Sequence, residues 1–433
     1  MRILFISNDL IAGNLAYLLK KEGHEVKLFI DSVEQRNNFA NLVDKTHDWE
    51  QELHWVGKDG LIIFDDVGYG KTQDELRSQG YTVFGGCELG DKLENDRQHA
   101  QEIFAEYGIK TVPIKNFKNI PAAMEFIKEN KGAWVIKQNG HASKSLNYVA
   151  YFDDSRDVLN VLENYNRNLK YQDRTITLQQ RVDGVEIGVG RYFNGTDWVG
   201  PIEMNVEHKK FFPGDLGPPT SEMGTLAWYD DDEEHNKLFQ ETLAKLKPYL
   251  QKINYRGDID LGCIVNETGV YPLEATPRFG SPIVHLHSEI HLSSWGELLY
   301  AVAKGEPYKL KWRRGYGIVV LITVPPFPYS KKLPQNSSYG VNVYFDEKLK
   351  KEDWKHIHFE EISLRSGEEQ YYISDHRGYI LYVTGMGQTI ELAQEKVYGL
   401  AKKIYIPKMF YRNDIGDRFM HDNKEKLREW GYL

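Results

Sequence analysis

The sequence predicts a protein of several packed lobes, mixed α/β and α+β in class, on three observations. The chain has 433 residues, more than one hydrophobic core organises. Its first hundred residues alternate apolar strand runs with helical ones, as βαβ units do. Beyond residue 108 the pattern changes to short strands separated by Asp- and Gly-containing turns.

Residues 2–6 read as a buried strand, 12–22 as a helix stopped by Gly23, and 25–30 as a second strand. The apolar runs at 61–64 and 82–84 extend this into a doubly wound N-terminal lobe, residues 1–108, closed by a helix over 95–107. In the middle of the chain, residues 109–312, strands are expected at 134–137, 175–180 and 186–193. The pairs Asp183-Gly184 and Asn194-Gly195 suit antiparallel hairpins there. A helix over 233–252 then precedes a strand pair at 257–266 and 270–274. Residues 313–433 form a strand-rich C-terminal domain, with strands at 318–323, 341–345 and 379–383 and one strong helix at 390–404. There is no internal repeat or low-complexity tract.

Hydrophobic content of 41% with 27% charge is globular, and no run of eighteen apolar residues offers a membrane span. The opening MRILFIS passes straight into Asn8 and Asp9, so it reads as a first strand rather than a signal peptide. Two cysteines, Cys87 and Cys263, are too few for a disulfide framework or a zinc site and suit a cytoplasmic location. A net charge of -9 argues against nucleic acid as a partner. Oligomeric state is left as monomer or homodimer.

Three clusters carry chemistry. In WVIKQNGHASKSLN, Lys137 ends an apolar strand and Lys144 sits in a small-residue loop, the ingredients of a phosphate clamp without Walker spacing; a solvated basic turn has the same composition. In ITLQQRVDGVEIGVG, the backbone of Gln179, Gln180, Arg181 and Val182 can pair with an adenine edge while Glu186 accepts ribose hydroxyls, or the segment is an ordinary hairpin. In DIDLGCIVNETGVYPLEATPRFGSP, Asp260 and Glu274 stand on consecutive strands with Thr276 and Arg278 just beyond. Hard oxygen ligands of this kind suit Mg²⁺ bound together with substrate phosphates, and Arg278 can neutralise a transferring phosphoryl group.

The order of VIK, small-residue loop, DGxE hairpin and EATPR resembles the ATP-grasp superfamily. The closer resemblance is to glycinamide ribonucleotide synthetase (phosphoribosylamine–glycine ligase), carried by YTVFGGCELGDKLENDRQHAQEIFAEYGIKTVPIKNF, NVEHKK, GDLGPPTSEMGT, LEATPRFGSP and the tail from Gly378 to Gly416. It runs through nearly the whole chain in the right order. It implies an ATP-grasp fold and a ligase of the purine-biosynthetic type. Such a ligase uses ATP and Mg²⁺ (or Mn²⁺) to activate a carboxylate, glycine, as an acyl phosphate for attack by an amine, phosphoribosylamine. The resemblance implies that Lys137 and Lys144 hold ATP phosphates, that Asp260, Glu274 and Thr276 supply the metal site, and that Arg278 and Lys144 serve catalysis. Asn8, His208, Lys209, Lys210, Gly217, Pro218, Met223, Gly224 and Arg278 would contact the substrates.

The departures lie on the substrate side. The first βα turn reads SNDLIAGN and lacks the family's arginine, so backbone N–H groups at the following helix are expected to hold the phosphate. Ser143-Lys144-Ser145 replaces Gly-Lys-Gly, Thr276 replaces a metal-binding asparagine, and Ser221-Glu222 replaces Gly-Gly. Two alternatives therefore stay open: a related ligase working on another amine or amino acid, and a catalytically silent nucleotide-binding protein.

Overall fold

The computed structural model describes residues 1–137, 147–168, 175–329 and 338–433. Its N-terminal lobe is a wholly parallel sheet in the order Asp44–Thr46, Glu25–Ile30, Arg2–Ser7, Leu61–Phe64, Val83–Phe84. The strands read as unbroken apolar runs because both faces are covered. Ile3 and Phe5 join the main core on one face, and Leu4 and Ile6 pack with Ile62 and Phe64 on the other. The chain leaves the first strand toward Glu25–Ile30 and later returns to Leu61–Phe64 on the opposite side, so the sheet switches direction at Arg2–Ser7. Ligands of doubly wound sheets sit beyond the carboxyl ends of the strands at such a point.

The helix expected over 95–107 forms as Arg97–Glu106. Asp96 accepts from the His99 N–H at 3.1 Å and caps Arg97–Glu106, while a separate helix, Glu88–Asn95, precedes it. An aspartate that bonds the backbone this way starts a new helix rather than continuing the old one.

Residues 114–180 contain a small antiparallel sheet, Ile114–Phe117, Ile176–Gln180, Trp134–Lys137, Tyr148–Val149. It is backed by the helices Ile120–Glu129 and Arg156–Arg167 around its own core of Ile127, Trp134, Ile136, Leu162 and Leu178. Asp183-Gly184 does not turn a hairpin, contrary to expectation. It carries the chain from Ile176–Gln180 in this sheet to Val185–Asn194 in another, because Gln180 pairs with Trp134 while Val185 pairs with Val265. Asn194-Gly195 does turn one: Asn194 Oδ1 accepts from the Thr196 and Asp197 N–H groups at 3.1 and 2.8 Å, and Gly195 takes φ +93°.

The large sheet has eight strands, Gly269–Thr276, Arg256–Asn266, Val185–Asn194, Trp198–Glu207, Gly224–Asp230, Tyr316–Thr323, Tyr379–Gly387 and Ile357–Phe359. It continues across residue 313, and the helix Ile390–Ala401 packs on its C-terminal strands. The helix expected over 233–252 is two, Lys237–Glu241 and Leu243–Lys252, broken at Thr242, whose hydroxyl donates to the Leu238 carbonyl at 2.5 Å. Of the strand expected over 341–345 only Tyr344–Phe345 forms. Among the described residues no helix is long and apolar enough to cross a membrane.

Candidate functional site

One face of the large sheet is polar because its strands alternate. On Trp198–Glu207 the side chains of Glu203, Asn205 and Glu207 share a face, on Arg256–Asn266 Asp258 and Asp260 do, and on Gly269–Thr276 Glu274 and Thr276 do. The register aligns them: Asp260 lies opposite Thr276 and Gly190, and Asn205 opposite Gly188. The glycines make room. A Cβ on Gly188 would lie 2.2 Å from Asn205 Oδ1, and one on Gly190 would lie 3.1 Å from Asp260 Oδ2. Asn205 can therefore reach across, its Nδ2 donating to Glu203 Oε1 at 2.7 Å and to Asp260 Oδ2 at 2.8 Å, while its Oδ1 is buried without a partner among the described residues.

Lys209 gathers the outer acids. Its Nζ lies 2.8 Å from Glu186 Oε1, 2.6 Å from Glu207 Oε2 and 3.7 Å from Glu274 Oε1. Burial opposes its charge, yet these carboxylates outweigh burial and hold its pKa well above the ordinary lysine value; Lys209 in turn lowers that of Glu186. Glu274 also accepts from Arg97 Nη2 at 2.9 Å. Half-buried Lys137 reaches the same group from the small sheet; burial lowers its pKa, while Glu274 and Glu186 act the other way. Below, Glu203 is paired with buried His287, whose Nδ1 lies 2.9 Å from Tyr192 Oη. Burial and then Glu203 and Glu207 push Asp260 well above the usual carboxylate range. The site is short of positive charge.

Arg97, Asn205, Glu207, Lys209, Asp260 and Glu274 line a cleft of about 590 Å³ that extends to the switch point of the N-terminal sheet. Arg278 sits between the two ends, donating to Glu94 Oε1 at 2.9 Å and lying 3.4 Å from Asp66 Oδ1. Asp9, Ile11 and Glu34 line the cleft too, with Glu222, Glu360 and Arg377, and so do Phe327 and Tyr379.

Of the residues singled out from sequence, Lys209, Asp260, Glu274, Thr276 and Arg278 line this cleft, and Glu186 and Lys137 adjoin it through the contacts above. Lys144 lies outside the described residues. Lys209 bridges acids rather than waiting for an anionic amine. His208 points away: its Nε2 accepts the Gly416 N–H at 3.2 Å, and burial and then Arg412 lower its pKa to about 4. A buried neutral imidazole cannot steer an anion. Lys210 has its carbonyl bonded by Arg412 at 2.9 Å and is absent from the cleft wall.

Gly217 and Pro218 lie on a short hairpin away from that wall, and Met223 is core; the loop contributes Ser221 and Glu222 instead. A side chain at Gly224 would meet the Val319 carbonyl at 2.5 Å, which makes it a packing position. Gln179 is buried, and the N–H groups of Gln180 and Arg181 are bonded to the Pro113 and Ala133 carbonyls at 2.9 and 2.8 Å. Arg181 turns its side chain to Asp153 and Asp183, and Val182 lies beside it in a surface depression with Pro113. Asn8 gives its carbonyl to the Ser32 N–H at 3.1 Å, and Asp9 takes the place in the wall expected for it.

Glu203 and Glu207 were missed, though PIEMNVE alternates polar and apolar residues as a half-buried strand does. Asp66 was legible too, standing just past an apolar parallel strand. Glu360 and Arg377 left no local signal.

Residues 95–284 match the family model described as phosphoribosylglycinamide synthetase, ATP-grasp (A) domain. A phosphoribosylamine–glycine ligase of Vibrio parahaemolyticus is 25% identical over 429 residues, covering 96% of this chain and 92% of that protein. One of Clostridium acetobutylicum is 25% identical over 354 residues, covering 79% and 80%. Among solved structures, phosphoribosylamine–glycine ligase of Thermotoga maritima superposes with a TM-score of 0.71 at 20% identity, covering 96% of this chain and 100% of that one. The biotin carboxylase domain of Hydrogenobacter thermophilus 2-oxoglutarate carboxylase gives 0.66 at 13% identity, covering 99% and 97%. The fold is that of the ATP-grasp enzymes.

Proposed function

We infer that this chain, an ATP-grasp carboxylate–amine ligase by its domain match and its fold, binds ATP where the small sheet faces the polar face of the large one. The observation that carries this reading is the convergence of Lys137, Glu186, Lys209, Glu274 and Arg278 from separate strands and a loop on one cleft. Phosphoryl transfer needs little covalent help from protein; it needs positioning and charge neutralisation. A carboxylate oxygen attacks the γ-phosphorus, ADP leaves, and the amine then attacks the acyl carbon and expels phosphate. Lys137 is placed to hold ATP phosphates and Glu186 the ribose. Arg278 is placed to hold the oxygens of the acyl phosphate. By analogy with the glycine ligases named above, the carboxylate is glycine.

The donor set fits a hard divalent cation. Four carboxylates, Glu203, Glu207, Asp260 and Glu274, crowd the face, and Asn205 Oδ1 lacks a partner among the described residues. Mg²⁺ is commonly shared between one or two carboxylates and substrate phosphates, for which these oxygens are suited. Glu274 and Asp260, with Thr276 opposite it, would hold it, and it would shield phosphate charge.

The test is ADP and phosphate release with glycine and a panel of amines, beside calorimetry with MgATP. ATP binding without phosphate release under any pairing would leave a silent nucleotide-binding protein. A second reading, a ligase for an amine other than phosphoribosylamine, is favoured by the first βα turn, where an internal carboxylate occupies the place of a bound phosphate.

A further inference from the structure

A phosphate on a doubly wound sheet sits at the helix N-terminus after the first strand, on its free N–H groups. Here the N–H at the helix N-cap is engaged from within. The Ala12 N–H donates to Asp65 Oδ2 at 2.9 Å, the Ser7 hydroxyl donates to the same oxygen at 2.8 Å, and Ser7 Oγ accepts from the Leu10 N–H at 2.8 Å. An anion arriving from solution would have to displace a fully buried carboxyl group.

The rest of the chamber is acidic. Among the described residues its wall carries Asp9, Glu34, Asp66, Glu94, Glu222 and Glu360, with Arg97, Arg278 and Arg377 as its arginines. All three are held by carboxylates. Arg97 is paired with Glu274 and Arg278 with Glu94 and Asp66, and Arg377 Nε donates to Glu361 Oε1 at 3.0 Å with Asp375 Oδ2 at 3.6 Å. Glu360 is the second, independent observation: it is 4% exposed, lines the chamber, and its Oε2 has no hydrogen-bond partner among the described residues. Burial raises its pKa well above the carboxylate range, Arg377 only partly offsets this, and Glu361, Asp65 and Asp375 add to it. Such a group is costly to leave unpaired and is met by a cation. Phe327 and Tyr379, with ring centroids 5.2 Å apart, place aromatic surface on the wall, where an alkylammonium stem can lie.

We propose that this chamber selects an acceptor amine that carries a second positive charge and no phosphate, a small diamine or similarly cationic amine, with Glu360 receiving the non-reacting ammonium. The proposal rests on the ligase reading for the word acceptor, but the chamber's preference can be measured apart from turnover. Calorimetry on the full chain at low salt compares 1,4-diaminobutane, 1-butylamine and ribose 5-phosphate, each with and without MgATP. The diamine is expected to bind at least about tenfold more tightly than the monoamine, and ribose 5-phosphate not to bind. Glu360→Gln and, separately, Asp9→Asn should each reduce the diamine preference several-fold, with near-UV circular dichroism checking the fold. Tighter binding of ribose 5-phosphate than of diamine, or a diamine preference unchanged in both variants, overturns the proposal. Failure of MgATP to bind would defeat the ligase reading instead, and the diamine titration would still decide the chamber.

Discussion

Replacing Lys137 with methionine separates binding from stability. The lysine ends the Trp134–Lys137 strand, whose preceding residues are core, so methionine keeps the apolar stem and removes only the charge. In the free protein that charge is poorly placed: burial lowers its pKa, and Arg97 and Lys209 repel it while Glu274 and Glu186 attract it. Loss of the charge should leave the melting temperature unchanged or slightly raised. With ATP bound, the ammonium gains a charge-assisted contact worth about 1.5–3 kcal/mol, so ATP affinity should fall roughly ten- to a hundredfold. Calorimetry with MgATP and scanning fluorimetry on the same samples read both quantities. A dissociation constant within about twofold of the parent's, at intact fold, would refute the assignment of Lys137 to the phosphates.

Glu274→Ala should abolish ligase turnover while changing unfolding free energy by only about 1 kcal/mol, since its ion pairs with Arg97 and Lys209 are partly solvated; full turnover in a phosphate-release assay would sink the metal assignment. Gly188→Ala drives a methyl into the Asn205 amide and breaks its bonds to Glu203 and Asp260, so a loss of about 1–3 kcal/mol is expected by urea denaturation. His358 is buried and its pKa is lowered to about 3, by burial above all, from an ordinary 6.5. The folded state therefore binds this proton more weakly than the unfolded one: its contribution is intact above pH 6.5 and is lost as pH falls from there toward 3. In His358→Gln the stability profile below pH 6.5 should flatten by about 1.4 kcal/mol per pH unit, and an unchanged slope would show that the imidazole charges without cost.

The sequence made most strands legible and some helices illegible for one reason. The strands at Glu25–Ile30, Leu61–Phe64 and Trp134–Lys137 fall at their expected bounds because each is a short apolar run closed by polar residues. The helix Ile283–Ile290 was not expected: IVHLHSEI is only eight residues long and is buried nearly all round, so no exposed polar face marks it. Its histidines look like surface residues in a string, yet His287 pairs with Glu203 and His285 stacks on His358, contacts 84 and 73 residues away along the chain. Pairing at such separations leaves no mark on local composition.

The two halves of the cleft differ in the same way. Asp260, Glu274, Thr276 and Arg278 come from one hairpin and its exit, so spacing alone placed them together. The amine end is assembled from Asp9, Asp66, Glu222 and Glu360, drawn from both ends of the chain and its middle. Reading SNDLIAGN by itself shows that an arginine is missing, which suggests a weakened phosphate seat. It does not show that Asp65, beyond the neighbouring strand, fills that seat. The difference matters physically. A vacant helix N-terminus still attracts an anion, through its N–H groups and its dipole, so the lost arginine alone would lower affinity and leave the preferred charge unchanged. A carboxyl group already bonded there satisfies the donor, and a cation entering the chamber would draw Glu360, whose pKa burial raises, toward its charged form, which an anion cannot do. Preference between a phosphorylated and a cationic amine is then set by the sign of the field in the chamber, which depends on where Asp65 and Glu360 fold rather than on any motif.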